Sequence, residues 1–390
     1  MDYIERRITK KLLNYVEQFP VVFLTGPRQS GKSTLLKKIL PDYKYVNLEE
    51  ADMRAFASDD PRGFLNSLNG HAVIDEAQRV PELFSYIQSA VDEGGSAGMF
   101  VLSGSQNFLL LKTISQSRAG RVGILSLLPF SFSELDSGGI QTGDLNVRMQ
   151  SGFYPRLVMQ GIDPTDFYPN YIKTYVERDI RAETGLRNVD KFTSFIRICA
   201  QGAGTTVNLA QIGASVEADA RTIASWINIL EESYIIFRLR PFARKIVPRY
   251  SKKPKIYFYD TGLLSSLLRI KNDDALKRHK LRGLIFENMV VAEYFKQVYN
   301  AGGFPGDDSY FWRDGSDRDK EVDLVVEDSD VLKLYEIKSS ETANSKFADN
   351  LNLFEKKVGG LPCEKHVIYN GPNTFTKSGV EYMQFRNMIF

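Results

Sequence analysis

Short apolar runs alternate with amphipathic stretches over the first third of the chain. Val21-Val-Phe-Leu-Thr25, Ala72-Val-Ile-Asp75 and Met99-Phe-Val-Leu102 are continuous apolar runs of strand length. That is the pattern of strands covered on both faces of a parallel sheet. Tyr43-Lys-Tyr-Val-Asn-Leu48 alternates instead, as a half-covered strand does, and Val122 to Leu128 is a further strand. Ile8, Leu12, Leu13 and Val16 recur at helical spacing within Ile4 to Gln18, and Thr34 to Leu40 reads as a second helix. Strands alternating with helices predict a parallel sheet with helices on both faces.

Beyond Pro129 the pattern changes. Pro129 to Thr142 is rich in Ser and Gly, with Asp136-Ser-Gly-Gly139 marking a boundary. Residues 150–190 read as helical, and Tyr168 to Ile180 carries aromatic and apolar residues at helical spacing. This segment is expected to close over the first domain as a lid. Phe192 to Ala200, Val207 to Ile212 and Asp219 to Leu230 then predict helices. The strands Tyr234–Leu239 and Lys255–Tyr259 follow. Three helices and a two-stranded wing make a winged helix-turn-helix, with the third helix poised for a major groove. Residues 271–282 are charged and read as a mobile connector. Gly283 to Phe295 is an amphipathic helix, and Tyr310–Trp312, Glu321–Glu327 and Val331–Lys338 are strands.

Composition changes this picture little. The 390 residues are 43% hydrophobic and 25% charged, with net charge +2, so folded cores are expected and any basic patch must be local. One such patch exists. Arg238, Arg240, Arg244, Lys245, Arg249, Lys252, Lys253 and Lys255 lie together without an acidic residue, as phosphate contacts would. Cys199 and Cys363 are far apart and give neither metal spacing nor a disulfide framework. No secretory leader pattern and no bilayer-length apolar run is present, so the expected location is cytoplasmic, without a membrane partner.

The chemistry is concentrated at a few places. Gly26-Pro-Arg-Gln-Ser-Gly-Lys-Ser33 fits the phosphate-binding loop pattern and sits between a strand and a helix, as its mechanism requires. The N–H groups of Gly26, Pro27's neighbours Arg28 and Gln29, Ser30, Gly31, Lys32, Ser33 and Thr34 would face a nucleotide's phosphates. Lys32 would reach the β- and γ-phosphates, and Ser33 would ligate Mg²⁺. About forty residues on, Ala72-Val-Ile-Asp75-Glu76 ends a strand in two acids. Asp75 would hold Mg²⁺ and Glu76 would polarise the attacking water. Ser105, Gln106 and Asn107, at the end of the next strand, are candidates for the γ-phosphate or that water. Arg118 or Arg121 could stabilise transition-state charge, in cis or across a subunit contact in a homo-oligomer.

A second constellation lies near the C-terminus. Asp323 on one strand and Glu336-x-Lys338 on the next place polar groups at one sheet edge, because alternate strand residues share a face. Asp323 and Glu336 would bind Mg²⁺, or Mn²⁺, while Lys338 orients or deprotonates a water. Glu287 on the preceding helix could add a third carboxylate. This is the PD-(D/E)xK nuclease constellation.

The motifs in series carry a resemblance. Leu24 to Ser33, Val73 to Gln78, Leu102 to Ser105, Ala119-Gly-Arg121, Tyr175 to Asp179, Tyr257 to Gly262, Phe286-Glu-Asn288, Glu321-Val-Asp323 and Glu336-Ile-Lys338 occur in this order. The chain resembles a widespread bacterial and archaeal family in which an AAA-like ATPase is joined to a C-terminal domain of unknown function. The resemblance implies an α/β multidomain protein whose nucleotide is ATP. Its expected parts are a P-loop parallel-sheet ATPase domain (1–140), a helical lid (141–191), a winged helix-turn-helix (192–260) and a restriction-endonuclease-like α/β domain (261–390). Two functions follow as expectations. One is an ATPase coupled to DNA binding and phosphodiester cleavage. The other is a nucleotide-regulated DNA- or protein-binding switch whose nuclease-like domain does not cut.

Overall fold

The computed structural model describes residues 3–105, 120–140, 143–179, 188–243, 253–315, 317, 320–388 and 390. Gln106, Asn107, Arg118, Arg244, Lys245, Arg249 and Lys252 lie outside the described residues.

The N-terminal sheet has five parallel strands in the order β2-β3-β4-β1-β5. They are β1 (Val21–Thr25), β2 (Lys44–Asn47), β3 (Ala72–Asp75), β4 (Phe100–Gly104) and β5 (Val122–Ser126). Strands β1, β3 and β4 are buried at every residue, which is why their sequences are continuously apolar. Edge strand β2 is only half covered and alternates accordingly. Helices α1 (Thr9–Gln18) and α2 (Lys32–Ile39) cover one face. There Leu12, Leu35 and Leu36 pack on Val22 and Leu24. Helices α3 (Ala51–Asp59), α4 (Pro61–Ser67) and α5 (Leu83–Asp92) cover the other, with Ala57, Phe64 and Leu83 against Phe23 and Ile74. The period-2 alternation of β1 thus feeds two separate cores.

Helices follow: α6 (Phe132–Ser137), α7 (Leu145–Ser151), α8 (Pro155–Gln160) and α9 (Pro164–Tyr171), the last running on as a π-helix to Asp179. Then come α10 (Val189–Gln201), α11 (Leu209–Val216) and α12 (Ala220–Glu232), and the antiparallel pair β6 (Ile236–Pro241) and β7 (Lys255–Phe258). Asp260 caps α13 (Thr261–Leu267) and also accepts hydrogen bonds from the Phe153 N–H and the Tyr168 hydroxyl, both at 2.7 Å. A Cβ on Gly262 would lie 2.3 Å from that hydroxyl, so the Tyr-Asp-Thr-Gly motif is a packing joint between α9 and α13.

The segment expected to be a mobile connector is ordered. Asn272 caps the short helix α14 (Asp273–Lys277), and Leu276 is fully buried. Helix α15 (Arg282–Asn300) follows. Next come β8 (Ser309–Arg313), β9 (Glu321–Asp328), β10 (Val331–Lys338), α16 (Asp349–Val358), β11 (Cys363–Tyr369), β12 (Phe375–Lys377) and β13 (Val380–Gln384). These strands form one eight-stranded sheet with the preceding hairpin, in the order β12-β13-β11-β10-β9-β8-β6-β7. Arg240 and Pro241 of β6 pair in parallel with Tyr310 and Phe311 of β8. The hairpin expected as a free wing therefore continues the C-terminal sheet. One core runs from Ile4 through α10, α12 and α15 to Met388.

Candidate functional site

Two sites emerge, one at the end of each sheet. The first surrounds the loop between β1 and α2. Gly26 has φ +143°, and a Cβ there would lie 2.1 Å from the Leu127 carbonyl oxygen. Only glycine fits so close an approach. Gly31, at φ +95°, caps α2 and turns its first N–H groups into the loop. The Lys32 ammonium is buried and donates to the carbonyls of Gly26 (2.9 Å) and Pro27 (3.0 Å). Burial lowers its pKa to about 8, against the opposing charges of Glu76 and Asp75. Ser33, Thr34, Gln29 and Arg28 line the same cavity, of about 590 Å³. Its far walls are Tyr3 and Ile4 of the N-terminus and Pro155, Arg156 and Met159 of α8.

Asp75, at the end of β3, faces this loop. The Ser103 and Tyr45 hydroxyls donate to it. Burial works to raise its pKa, but hydrogen bonds from Ser103, Ser33 and Tyr45 and the charge of Lys32 outweigh that and keep it ionised. Glu76 adopts left-handed backbone (φ 55°, ψ 39°), a conformation uncommon outside glycine that often accompanies function. Its carboxylate accepts from the Gln78 amide at 2.6 Å, and Gln78 also donates to Ser105 at 3.3 Å. Loop, acid pair and Ser105 are thus brought together. Ser103 and Gln78 lay within motifs read from the sequence but without a role, and Tyr45 had no signal beyond its strand, because strand order alone makes β2 and β4 flank β3. These donors fit a nucleotide phosphate chain, and the Asp75–Ser33 pair fits a hard cation.

Arg121 is not part of this site within one chain. It precedes β5, its carbonyl accepts from Val21 at the start of β1, and its guanidinium lies against Asp92. The loop follows Thr25 at the opposite sheet edge, roughly 15 Å of strand away. For Arg121 the cis-finger expectation is therefore corrected, while Arg118 lies outside the described residues. Arg6, unremarked in the sequence, is buried beside the loop instead. It donates to the carbonyls of Ser30 (2.7 Å) and Leu128 (2.6 Å) and pairs with buried Glu134 at 3.0 Å.

The second site lies between α15 and the C-terminal sheet. Glu321 and Asp323 share one face of β9. Register places Glu336 of β10 opposite Asp323, with Lys338 two residues on. Glu287 descends from α15. Oxygens of Glu287, Glu321 and Asp323 lie within 4.8 Å of one another. Asp323 accepts from the Ile337 N–H at 2.8 Å, and Glu336 Oε1 accepts from Lys338 at 2.6 Å. Glu336 Oε2 is buried and has no hydrogen-bond partner among the described residues. Burial, reinforced by the charge of Asp323, pushes the Glu336 carboxyl well above the usual carboxylate range despite Lys338. Burial likewise raises Glu287, against the pull of Lys255. Clustered carboxylates with an orphaned oxygen fit a divalent cation.

The cation seated there belongs to the chain. Lys255 Nζ pairs with Glu287 (3.0 Å) and with Glu321, and Lys255 is 1% exposed. Lys255 was expected among the phosphate-contacting bases, and the structure corrects this. Arg238 pairs with Glu231. Glu321, two residues before Asp323, was legible as a same-face carboxylate and was missed as a member of the cluster.

The sheet order, loop and acid pair define the N-terminal third as an AAA-type P-loop ATPase domain. The family model described as "AAA domain" matches residues 18–136. "Domain of unknown function (DUF8612)" matches 142–274, and "Domain of unknown function (DUF4143)" matches 282–387. The chain belongs to the same family as "Uncharacterized protein Rv2008c" of Mycobacterium tuberculosis and "Uncharacterized protein Mb2031c" of Mycobacterium bovis. It is 30% identical to each over 380 residues, which span 96% of this chain and 82% of theirs. Among solved structures, the Walker-type ATPase PABY2304 of Pyrococcus abyssi is similar at 17% identity, covering 69% of this chain and 97% of that one with a TM-score of 0.45. A RuvB variant of Thermotoga maritima is similar at 20% identity over 59% and 88%, with a TM-score of 0.29. At these scores the kinship rests on the sequence matches. Among the described residues, no helix is long and apolar enough to cross a membrane.

Proposed function

We propose that the chain is a Mg²⁺-dependent ATPase whose nucleotide cycle controls a DNA-directed, phosphodiester-cleaving site in its C-terminal domain. The observation that carries the ATPase reading is Glu76. It directly follows β3, in left-handed backbone, beside Asp75 and the cavity lined by Lys32 and Ser33. Lys32 and the loop N–H groups would hold the phosphates. Ser33 and Asp75 would hold Mg²⁺, which supplies charge neutralisation at the β- and γ-oxygens. Glu76 would orient and deprotonate water, with Gln78 and Ser105 fixing its carboxylate. Met159 and Arg156 of α8 would close over the nucleotide as a lid. Arg121 remains available only to a neighbouring copy's site, in a homo-oligomer.

Coupling to the second site would run through α15. Its Glu293 accepts from the Phe132 N–H at 3.1 Å, and its Lys296 donates to the Phe130 carbonyl at 2.9 Å. Both partners follow β5 and the Arg6 contact with the phosphate loop. Earlier on the same helix, Glu287 enters the carboxylate cluster. There Asp323, Glu336, Glu287 and Glu321 would hold Mg²⁺ or Mn²⁺, with Lys338 orienting water. Helices α10–α12 with the β6–β7 hairpin would bind the duplex as a winged helix. The non-cutting switch is kept as the second reading, because Lys255 neutralises the cluster.

The test is a cleavage assay on supercoiled, linear and branched DNA with Mg²⁺ or Mn²⁺, with and without ATP. Cutting by the unaltered protein and none by Glu336→Ala supports the nuclease. Lys32→Ala then reports whether ATP drives it. Intact DNA throughout, with nucleotide-dependent DNA affinity, selects the switch.

A further inference from the structure

Within the carboxylate cluster, Lys255 is out of place for a nuclease and out of place for a surface-bound wing. It rises from β7, an element of the middle segment, into a site built from α15 and β9. Its ammonium contacts two of the three carboxylates whose oxygens lie within 4.8 Å of one another. The neighbouring Tyr257 hydroxyl donates to the same Glu287 oxygen at 2.6 Å. Lys255 thus stands between Glu287 and Glu321, while Arg313 holds the outer oxygen of Glu321 (2.5 Å) and Lys338 lies 2.6 Å from Glu336 and 3.9 Å from Asp323. An oxygen of a fourth buried carboxylate, Glu336 Oε2, has no hydrogen-bond partner among the described residues. An ammonium offers one charge and three donors. A divalent cation brings two charges and takes six or more oxygens, including water. The ligand oxygens of a ~2.1 Å octahedron lie roughly 3 to 4.2 Å apart, so the observed spacing is close to what such an ion needs.

We propose that Lys255 is a tethered internal cation occupying a divalent-metal position formed by Glu287, Glu321 and Asp323. The ion enters only in exchange for the Lys255 ammonium, which swings out on its four-carbon stem. The protein is therefore self-blocked at this site while Lys255 is seated. The inference rests on the metal-site reading given above and adds the exchange. In the seated state the cluster is folded and neutralised without metal, and any event that draws β7 away opens it. Asn288 is placed to govern that event, because its amide bonds both the Phe258 N–H (2.8 Å) and the Phe258 carbonyl (2.7 Å), clamping β7 to α15.

The experiment uses the full chain without nucleotide and Mn²⁺ as the probe, counted by calorimetry and by the paramagnetic resonance of free Mn²⁺. Lys255→Met should bind one Mn²⁺ at least tenfold more tightly than the unaltered protein, and Lys255→Met/Asp323→Asn should lose it. If Mn²⁺ binding is lost with Asp323→Asn but is no tighter in Lys255→Met, the metal site stands and the exchange is overturned. If Asp323→Asn removes no Mn²⁺ in either background, both are overturned. The unaltered protein supplies a second measurement, which stands even where Lys255→Met fails to fold. Amine-directed acetylation of Lys255, followed by peptide mass spectrometry, should rise at least tenfold as Mn²⁺ saturates. Lys255 protected at every Mn²⁺ concentration overturns the proposal.

Discussion

Glu76 tests the chemistry at the scale of a single residue. Glu76→Gln keeps the shape and the Gln78 contact but removes the base, so turnover should fall by about 10²- to 10⁴-fold. Nucleotide binding should survive, because Lys32 and the loop N–H groups are untouched. Phosphate release and binding of a fluorescent nucleotide read the two separately. Equal turnover in both proteins would remove Glu76 from the base role. Arg6 tests the frame around the loop. Arg6→Ala leaves Glu134, fully buried, without its cation, at a cost of about 3–5 kcal/mol. Urea unfolding measures that loss. Nucleotide affinity should fall as well, since the Ser30 carbonyl loses its donor. The loop, Asp75 and Glu76 were legible because their residue types and strand–loop–helix context coincide locally. Arg6 was not, because its partners are 24, 122 and 128 residues away.

Helix α15 decides the behaviour at the scale of the element. Glu293 is buried, and burial lifts its pKa from about 4.5 to about 6, partly offset by Lys296 and the Phe132 N–H. Between those pH values the folded protein holds more protons than the unfolded chain, so stability falls as pH rises. The contribution is complete below about pH 4.5 and gone above about pH 6, and amounts to roughly 2 kcal/mol. Glu293→Gln should flatten the stability profile across that window, measured by denaturant unfolding at pH 4.5, 5.5 and 6.5. An unchanged slope would show that other groups carry it. α15 was read as an amphipathic helix from Gly283 to Phe295, yet the structure buries every residue from Ile285 to Lys296. Which ATPase residues its far end would grip was not legible, since Phe130 and Phe132 offer only backbone atoms to Lys296 and Glu293.

At the scale of the whole molecule, the shared sheet and core make the C-terminal domain dependent on what precedes it. β8 pairs with β6, and α15 packs its buried residues against both β7 and β10. Residues 282–390 expressed alone should therefore lack a sharp thermal transition and bind hydrophobic dyes, while the full chain melts the C-terminal sheet together with α10–α15. A cooperative melt of the isolated fragment would sink this. The domain boundary read near residue 260 marks a change of sequence pattern, whereas hydrogen bonds cross it from β6 to β8.

The chain's own pattern determined its strands and helices, because burial on one face or two leaves a period of two, of 3.6 or a continuous run. It also determined the phosphate loop and the acid pair, whose parts are contiguous. Tertiary structure alone decided that Arg121 stands at the far edge from the loop and that Tyr45 and Ser103 hold Asp75. It alone decided that Lys255 lies among carboxylates. Each depends on strand order or on pairing between distant segments. Sequence spacing reports which face a residue occupies and leaves open what that face will meet.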